Sequence, residues 1–133
     1  MNPDSMNRID TLANIGSSLL GVQIEAGGLG PNDVSADAFV FGYCFGLFEA
    51  MARYANLDQY TEGMRMMSAG FGRLVGAAEQ GGVLFRLALE KQEDPAFQEG
   101  AAFGEADLLA WAKDANALPA NLTRHARRKP EQA

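Results

Sequence analysis

Ala38-Phe-Val-Phe-Gly-Tyr-Cys-Phe-Gly-Leu-Phe48 is the stretch whose reading decides the fold. It is uncharged and rich in aromatics, so a buried strand and a helix that is apolar on every side compete for it. The next five residues separate them. Glu49-Ala-Met-Ala-Arg53 continues the run with good helix formers, and Glu49 precedes Arg53 by four residues, the favourable order for an ion pair on one helix face. A helix over 36–55 is predicted, with Ser35 as its N-cap and Asp37 in its positive first turn. A helix apolar on all sides is either enclosed by its own chain or placed in an interface between chains.

Working towards the N-terminus, Met6, Ile9, Leu12, Ala13, Gly16, Leu19 and Leu20 recur at steps of three and four, which predicts a first helix over about 5–25. Leu20 to Glu25 also passes as a short strand. Gly27-Gly28-Leu29-Gly30-Pro31 then breaks the chain.

Towards the C-terminus, Asn56-Leu57 ends the apolar helix and Asp58 is placed to cap the next. Tyr60, Met64, Met67, Phe71, Leu74 and Ala78 keep a rhythm of four and three that runs on through Gly82, Phe85 and Leu89. This predicts helices over 59–80 and 82–93, either one kinked helix or two stacked across Gly81-Gly82. Asp94-Pro95 is a strong helix start, and a fifth helix is expected over 95–117, with Gly100 and Gly104 as points where it splits and Pro119 as its stop. The fold class is all-α: a compact bundle of four to five helices around the apolar second one. One domain is expected over 1–119, followed by a flexible basic tail over 120–133.

Charge narrows the partners. The chain of 133 residues carries a net charge of -6. Arg124, Arg127, Arg128 and Lys129 against Glu131 give the last stretch +3, which leaves -9 on the rest. An acidic body is a poor match for a phosphate backbone, so no nucleic-acid partner is expected and the basic end is read as a solvated tail. The opening Met-Asn-Pro-Asp lacks the basic and apolar regions of a secretion signal, and the eleven-residue apolar run is too short to span a bilayer. Cys44 is the single cysteine, so no disulfide forms within the chain. A cytoplasmic chain without a membrane partner is expected.

Glycine is abundant, with 15 in 133 residues, and ten of them fall inside helical patterns. Each of those destabilises a helix by roughly 1 kcal/mol relative to Ala, so the helices depend on packing. Gly42/Gly46, Gly72/Gly76 and Gly100/Gly104 have the spacing that lets two helix backbones approach closely, against roughly 1.6 such pairs by chance. With Phe45, Phe48, Met67 and Phe71, the first two pairs form the candidate surface for a close crossing or an interface. Gly70-Phe-Gly72-Arg-Leu-Val-Gly76 is no dinucleotide fingerprint, since it lies mid-helix with the final spacing one residue too long. Gly27-Gly28-Leu29-Gly30 lacks the Lys and Ser/Thr of a phosphate loop.

Neither metal, cofactor nor catalytic residues are expected. His125 is the single histidine, Cys44 lies in the most apolar stretch, and no Glu-x-x-His pair exists. The acidic pairs Glu93/Asp94 and Glu105/Asp107 sit near helix starts, where the dipole favours carboxylates. The best candidates for a small ligand are Arg53, Tyr54, Tyr60, Glu62 and Arg65, clustered around one turn and suited to an acidic or aromatic molecule. Met51, Met64, Met66 and Met67 suit either an adaptable binding surface or a core. The leading functional expectation is a helical interaction module, homo-oligomeric, that presents an apolar groove or interface to a protein partner. A small-ligand binding protein or simple enzyme using the Arg53–Arg65 cluster is the alternative. A secretion-type chaperone or immunity protein is the third reading.

Overall fold

The computed structural model describes residues 3–128. It is an all-helical bundle of seven helices among the described residues, more than the four to five expected. They are α1 (Pro3–Ala26), α2 (Asp33–Ala36), α3 (Ala38–Tyr54), α4 (Glu62–Val75), α5 (Gly81–Glu90), α6 (Pro95–Lys113) and α7 (Asn121–Arg128). A single 3-10 turn, Ala78–Gln80, leads into α5.

α3 is the axis of the bundle. Thirteen of its 17 residues are buried, and α1, α4, α5, α6 and α7 of the same chain supply the cover. No second copy is needed to enclose it, so an uncovered apolar helix no longer speaks for self-association. Asp37, rather than Ser35, caps α3: its carboxylate accepts a hydrogen bond from the Val40 amide at 3.1 Å. Ser35 instead lies in the one-turn helix α2.

The tightest contact is between α3 and α6. A methyl group on Gly42 would overlap the carbonyl oxygen of Phe97, and one on Gly46 that of Ala101. The relation is reciprocal, because Gly100 faces the carbonyl of Phe39 and Gly104 that of Tyr43 in the same way. Two glycine pairs, one per helix, thus let the backbones touch. α6 runs unbroken through Gly100 and Gly104, so these glycines serve the crossing and do not split the helix. Its start is fixed by Asp94, which accepts from the amides of Ala96 and Phe97 ahead of Pro95 in the first turn.

On the opposite side α1 packs along α4, and the Phe48 ring sits between them. A methyl on Gly16 would come within 2.7 Å of that ring, and one on Gly70 would overlap it. Phe71 meets the same ring edge-on, with centroids 5.2 Å apart.

The rhythm from Tyr60 to Leu89 is interrupted earlier than Gly81-Gly82. Gly76 takes a left-handed conformation (φ 71°) after α4. The Ala77 amide reaches back to the Gly72 carbonyl and the Gly76 amide to that of Arg73, a paired closure that ends the helix. Asn56 (φ 58°) ends α3 by the same device, with Leu57 turned into the core. Gly81 acts differently. Its α-carbon lies against the Ser68 carbonyl, so α5 folds back closely on α4. α4 and α5 are therefore two helices, not one kinked one.

The chain after Pro119 also differs from expectation. Residues 121–128 form α7, with Leu122 and Ala126 buried, where a flexible tail is predicted. The remainder of that tail lies outside the described residues.

The crossing yields a graded prediction. Gly46→Ala or Gly100→Ala should destabilise the fold by about 3 kcal/mol, since the obstacle is backbone and cannot swing aside. Gly21→Ala in α1, where a methyl meets nothing within 4 Å, should instead stabilise by about 1 kcal/mol. Urea unfolding of the three variants checks this; a Gly46→Ala curve lying with that of Gly21→Ala would contradict the backbone contact.

Candidate functional site

The sequence cluster around the α3–α4 turn does not converge on one point. Arg53 pairs with Glu105 of α6 at 3.1 Å and with Glu49 at 3.7 Å. Glu62 turns back to accept from the Asp58 amide, and Asp58 itself accepts from the amides of Tyr60 and Thr61. Tyr54 and Tyr60 are exposed. Arg53 and Tyr60 both line a cleft of about 290 Å³ between α3, α4 and α5, together with Phe45, Met67 and Phe85. Tyr54 borders a separate hollow beside Trp111, and Arg65 a third beside Met6 and Asp10. With two carboxylates already on its guanidinium, Arg53 offers little net positive charge to an anion.

Among the interface candidates, Gly42 and Gly46 stand at the α3–α6 crossing, within the chain. Gly72 packs near the backbone of Ala78, and Gly76 is the open left-handed cap of α4. Phe48, Phe71 and Met67 are core residues; Phe45 is buried and stacks on Phe85.

A depression larger than these three, about 620 Å³, lies elsewhere. It runs between α1 and the segment of chain that enters α7. Ile15, Leu19, Val22 and Ala26 form one wall, Leu118 and Pro119 the other, and Gln23 and Thr123 also line it. Val22 and Leu118 are 70% and 71% exposed, unusual for large apolar side chains, and no lining residue is charged. The sequence carries a signal for it. Ile15, Leu19, Val22 and Ala26 are a second apolar stripe on α1, offset from the buried stripe of Ile9, Ala13, Gly16 and Leu20.

The far wall is held by a polar network. The first three amides of α7 lack partners within the helix. Asp107 of α6 accepts from the Asn121 amide at 3.2 Å and from its side-chain Nδ2 at 2.8 Å. Gln23 of α1, 2% exposed, accepts through Oε1 from the amides of Leu122 (3.0 Å) and Thr123 (3.3 Å). Gln23 Nε2 donates to the Tyr43 hydroxyl at 2.9 Å, and that hydroxyl donates to Asp107 Oδ2 at 2.5 Å. α7 is thus capped by two other helices, joined through Tyr43 of α3. Further along, His125 stacks on Phe39 with centroids 4.1 Å apart and approaches Asp37 at 3.2 Å.

Burial, followed by the hydrogen bond to Asp107, pushes the Tyr43 hydroxyl well above the usual phenol range. Burial likewise raises the Cys44 thiol, which is fully enclosed. Neither group is prepared to react as an anion. Among the described residues no cluster of His, Cys, Asp and Glu is arranged for a metal, and no helix is long and apolar enough to cross a membrane.

These shifts set an alkaline limit. Both groups hold their protons more tightly folded than unfolded, so their contribution is intact below the unfolded values of about 8.5 and 10 and is lost as pH rises past them. Stability should fall as pH rises from about 8.5, and Cys44→Ala should shallow the decline. A thiol reagent should react with Cys44 only on unfolding. Tyr43→Phe at neutral pH removes a partner from both Gln23 and Asp107 and should destabilise by about 2 kcal/mol. Urea midpoints across pH measure all of this; a flat alkaline profile would contradict the buried placement.

Comparison with known proteins finds no matching family model, no matching curated protein and no matching solved structure.

Proposed function

We propose that this protein is a small helical interaction module that receives an apolar segment of a protein partner in the groove between α1 and the 118–123 segment. One observation supports this best: Val22 and Leu118 stand exposed on opposite walls of this depression, with Ile15 and Leu19 partly exposed beside Val22. A contiguous apolar groove of this kind is the form that takes the apolar face of an amphipathic helix. One wall is the helix α1, fixed by the core, and the other is the short loop that enters α7, anchored where the Gln23–Asp107 network holds the first turn of α7, so little ordering is required on binding. Self-association has no part in this reading, because α3 is enclosed by its own chain.

A second reading rests on the smaller cleft, where Arg53 and Tyr60 border an apolar floor. It fits a compact, mostly apolar ligand with one polar end. It ranks second because its one cation is already engaged by Glu49 and Glu105.

A library of short amphipathic helical peptides, screened against the full chain and mapped by amide chemical shifts, distinguishes the two. Perturbation should centre on Ile15, Leu19, Val22 and Thr123. Val22→Asp and Leu118→Asp, both at exposed positions, should weaken binding by about tenfold or more without lowering stability. Shifts centred on Phe45 and Phe85, or a library with no binder, would overturn the groove.

A further inference from the structure

The groove walls are uncharged, but its edges are not, and the two edges differ. The Arg124 amide donates to the Ala120 carbonyl at 3.1 Å, so the helical turn of α7 reaches back to Ala120. On that helix, residues 120, 123, 124 and 127 share one face by steps of three and four. Ala120 and Thr123 line the groove, while Leu122 and Ala126 are buried on the opposite face. The helix register therefore sets Arg124 and Arg127 on the side of α7 next to the groove, just outside its lining, and both are exposed. Among the described residues neither has a carboxylate partner; Arg124 donates only to the side chain of Asn121, at 3.2 Å.

The α1 edge carries the opposite sign. Glu25 is exposed and follows Ser18 by seven residues, on the same helix face, and Ser18 lines the groove. An apolar channel thus lies between a basic edge and an acidic one, on a chain whose net charge is -6.

We propose, resting on the groove reading above, that the occupant is an amphipathic helical segment whose apolar face fills the channel and whose carboxylates line the flank facing Arg124 and Arg127. Two guanidiniums beside an uncharged channel draw and orient such a segment, since exposed charges at the rim of an interface act on encounter and register. Glu25 repels the segment placed the other way round, so binding has a polarity. An anionic membrane is the weaker match. The apolar surface is concave, and Glu25 together with the acidic body would face the lipid charge.

The test uses the full chain and three short helical peptides that share one leucine face and differ in the flank, which carries Glu, Gln or Lys. Fluorescence anisotropy at low salt should rank them Glu over Gln over Lys, with about tenfold between the extremes, and high salt should collapse the spread. In the doubly substituted Arg124→Glu/Arg127→Glu chain the order should reverse, with circular dichroism confirming that the helices remain. If all three peptides bind alike and Val22→Asp abolishes binding, the groove stands and the acidic occupant is wrong. If none binds, the groove reading fails first and this one with it. Binding to phosphatidylglycerol vesicles in preference to the Glu peptide, lost on Arg127→Glu, would overturn the proposal in favour of a lipid surface.

Discussion

The backbone contact between α3 and α6 is the constraint on which the rest of the molecule depends. Four glycines, two on each helix, replace side chains with direct approach of helix to carbonyl. Glycine weakens each helix taken alone, so the contact has to be made for either helix to persist at this composition. Once it is made, α3 is fixed against α6 along one face, and its aromatic rings are set around that contact, towards α6 as well as away from it. Phe41 and Phe45 turn to Phe97, while Phe48 enters the space that Gly16 and Gly70 leave between α1 and α4. Large rings on one helix and absent side chains on its neighbours are two halves of one packing solution.

The polar network extends that arrangement. Tyr43 lies on α3 beside the crossing, and Gly104 packs on its carbonyl. Its hydroxyl is delivered to Asp107 of α6 and Gln23 of α1, so those two side chains are held where the first turn of α7 needs acceptors. Buried polar side chains are tolerable here because they are satisfied: among the described residues no buried side-chain nitrogen or oxygen is left without a partner. The position of α7 is thus a consequence of the α3–α6 contact, relayed through one phenol.

Much of this fold is legible in the sequence, and the parts that are not have physical reasons. The all-round apolar character of 38–48 identifies the central helix, and Asp94-Pro95 marks the start of α6, because both signals are local. The break at Gly76 is hidden, since the apolar rhythm keeps its phase through the turn and many other glycines here have negative φ. α7 is hidden for a different reason. Eight residues with four basic side chains make a poor helix alone, and its capping groups lie 14 and about 100 positions away. The turn cluster misleads because sequence proximity does not choose a direction: Arg53, Tyr54 and Arg65 leave their helices towards three different hollows. The groove is half legible, as a second stripe on α1 whose other wall only the fold supplies.

In the proposed reading, that other wall links stability to recognition. Isolated helices below about 12 residues are marginal in water, so α7 owes its order to Gln23, Asp107 and the two buried side chains Leu122 and Ala126. Two apolar anchors are few for a helix, and the loss of α7 would remove the groove altogether. A segment lying against Leu118 and Thr123 would contact α7 only in its docked position. By linkage it would hold α7 down as surely as α7 completes its site. The buried Tyr43 phenol, remote from solvent, would then bear on the proposed binding through geometry: it aligns the two acceptors that hold α7 in place.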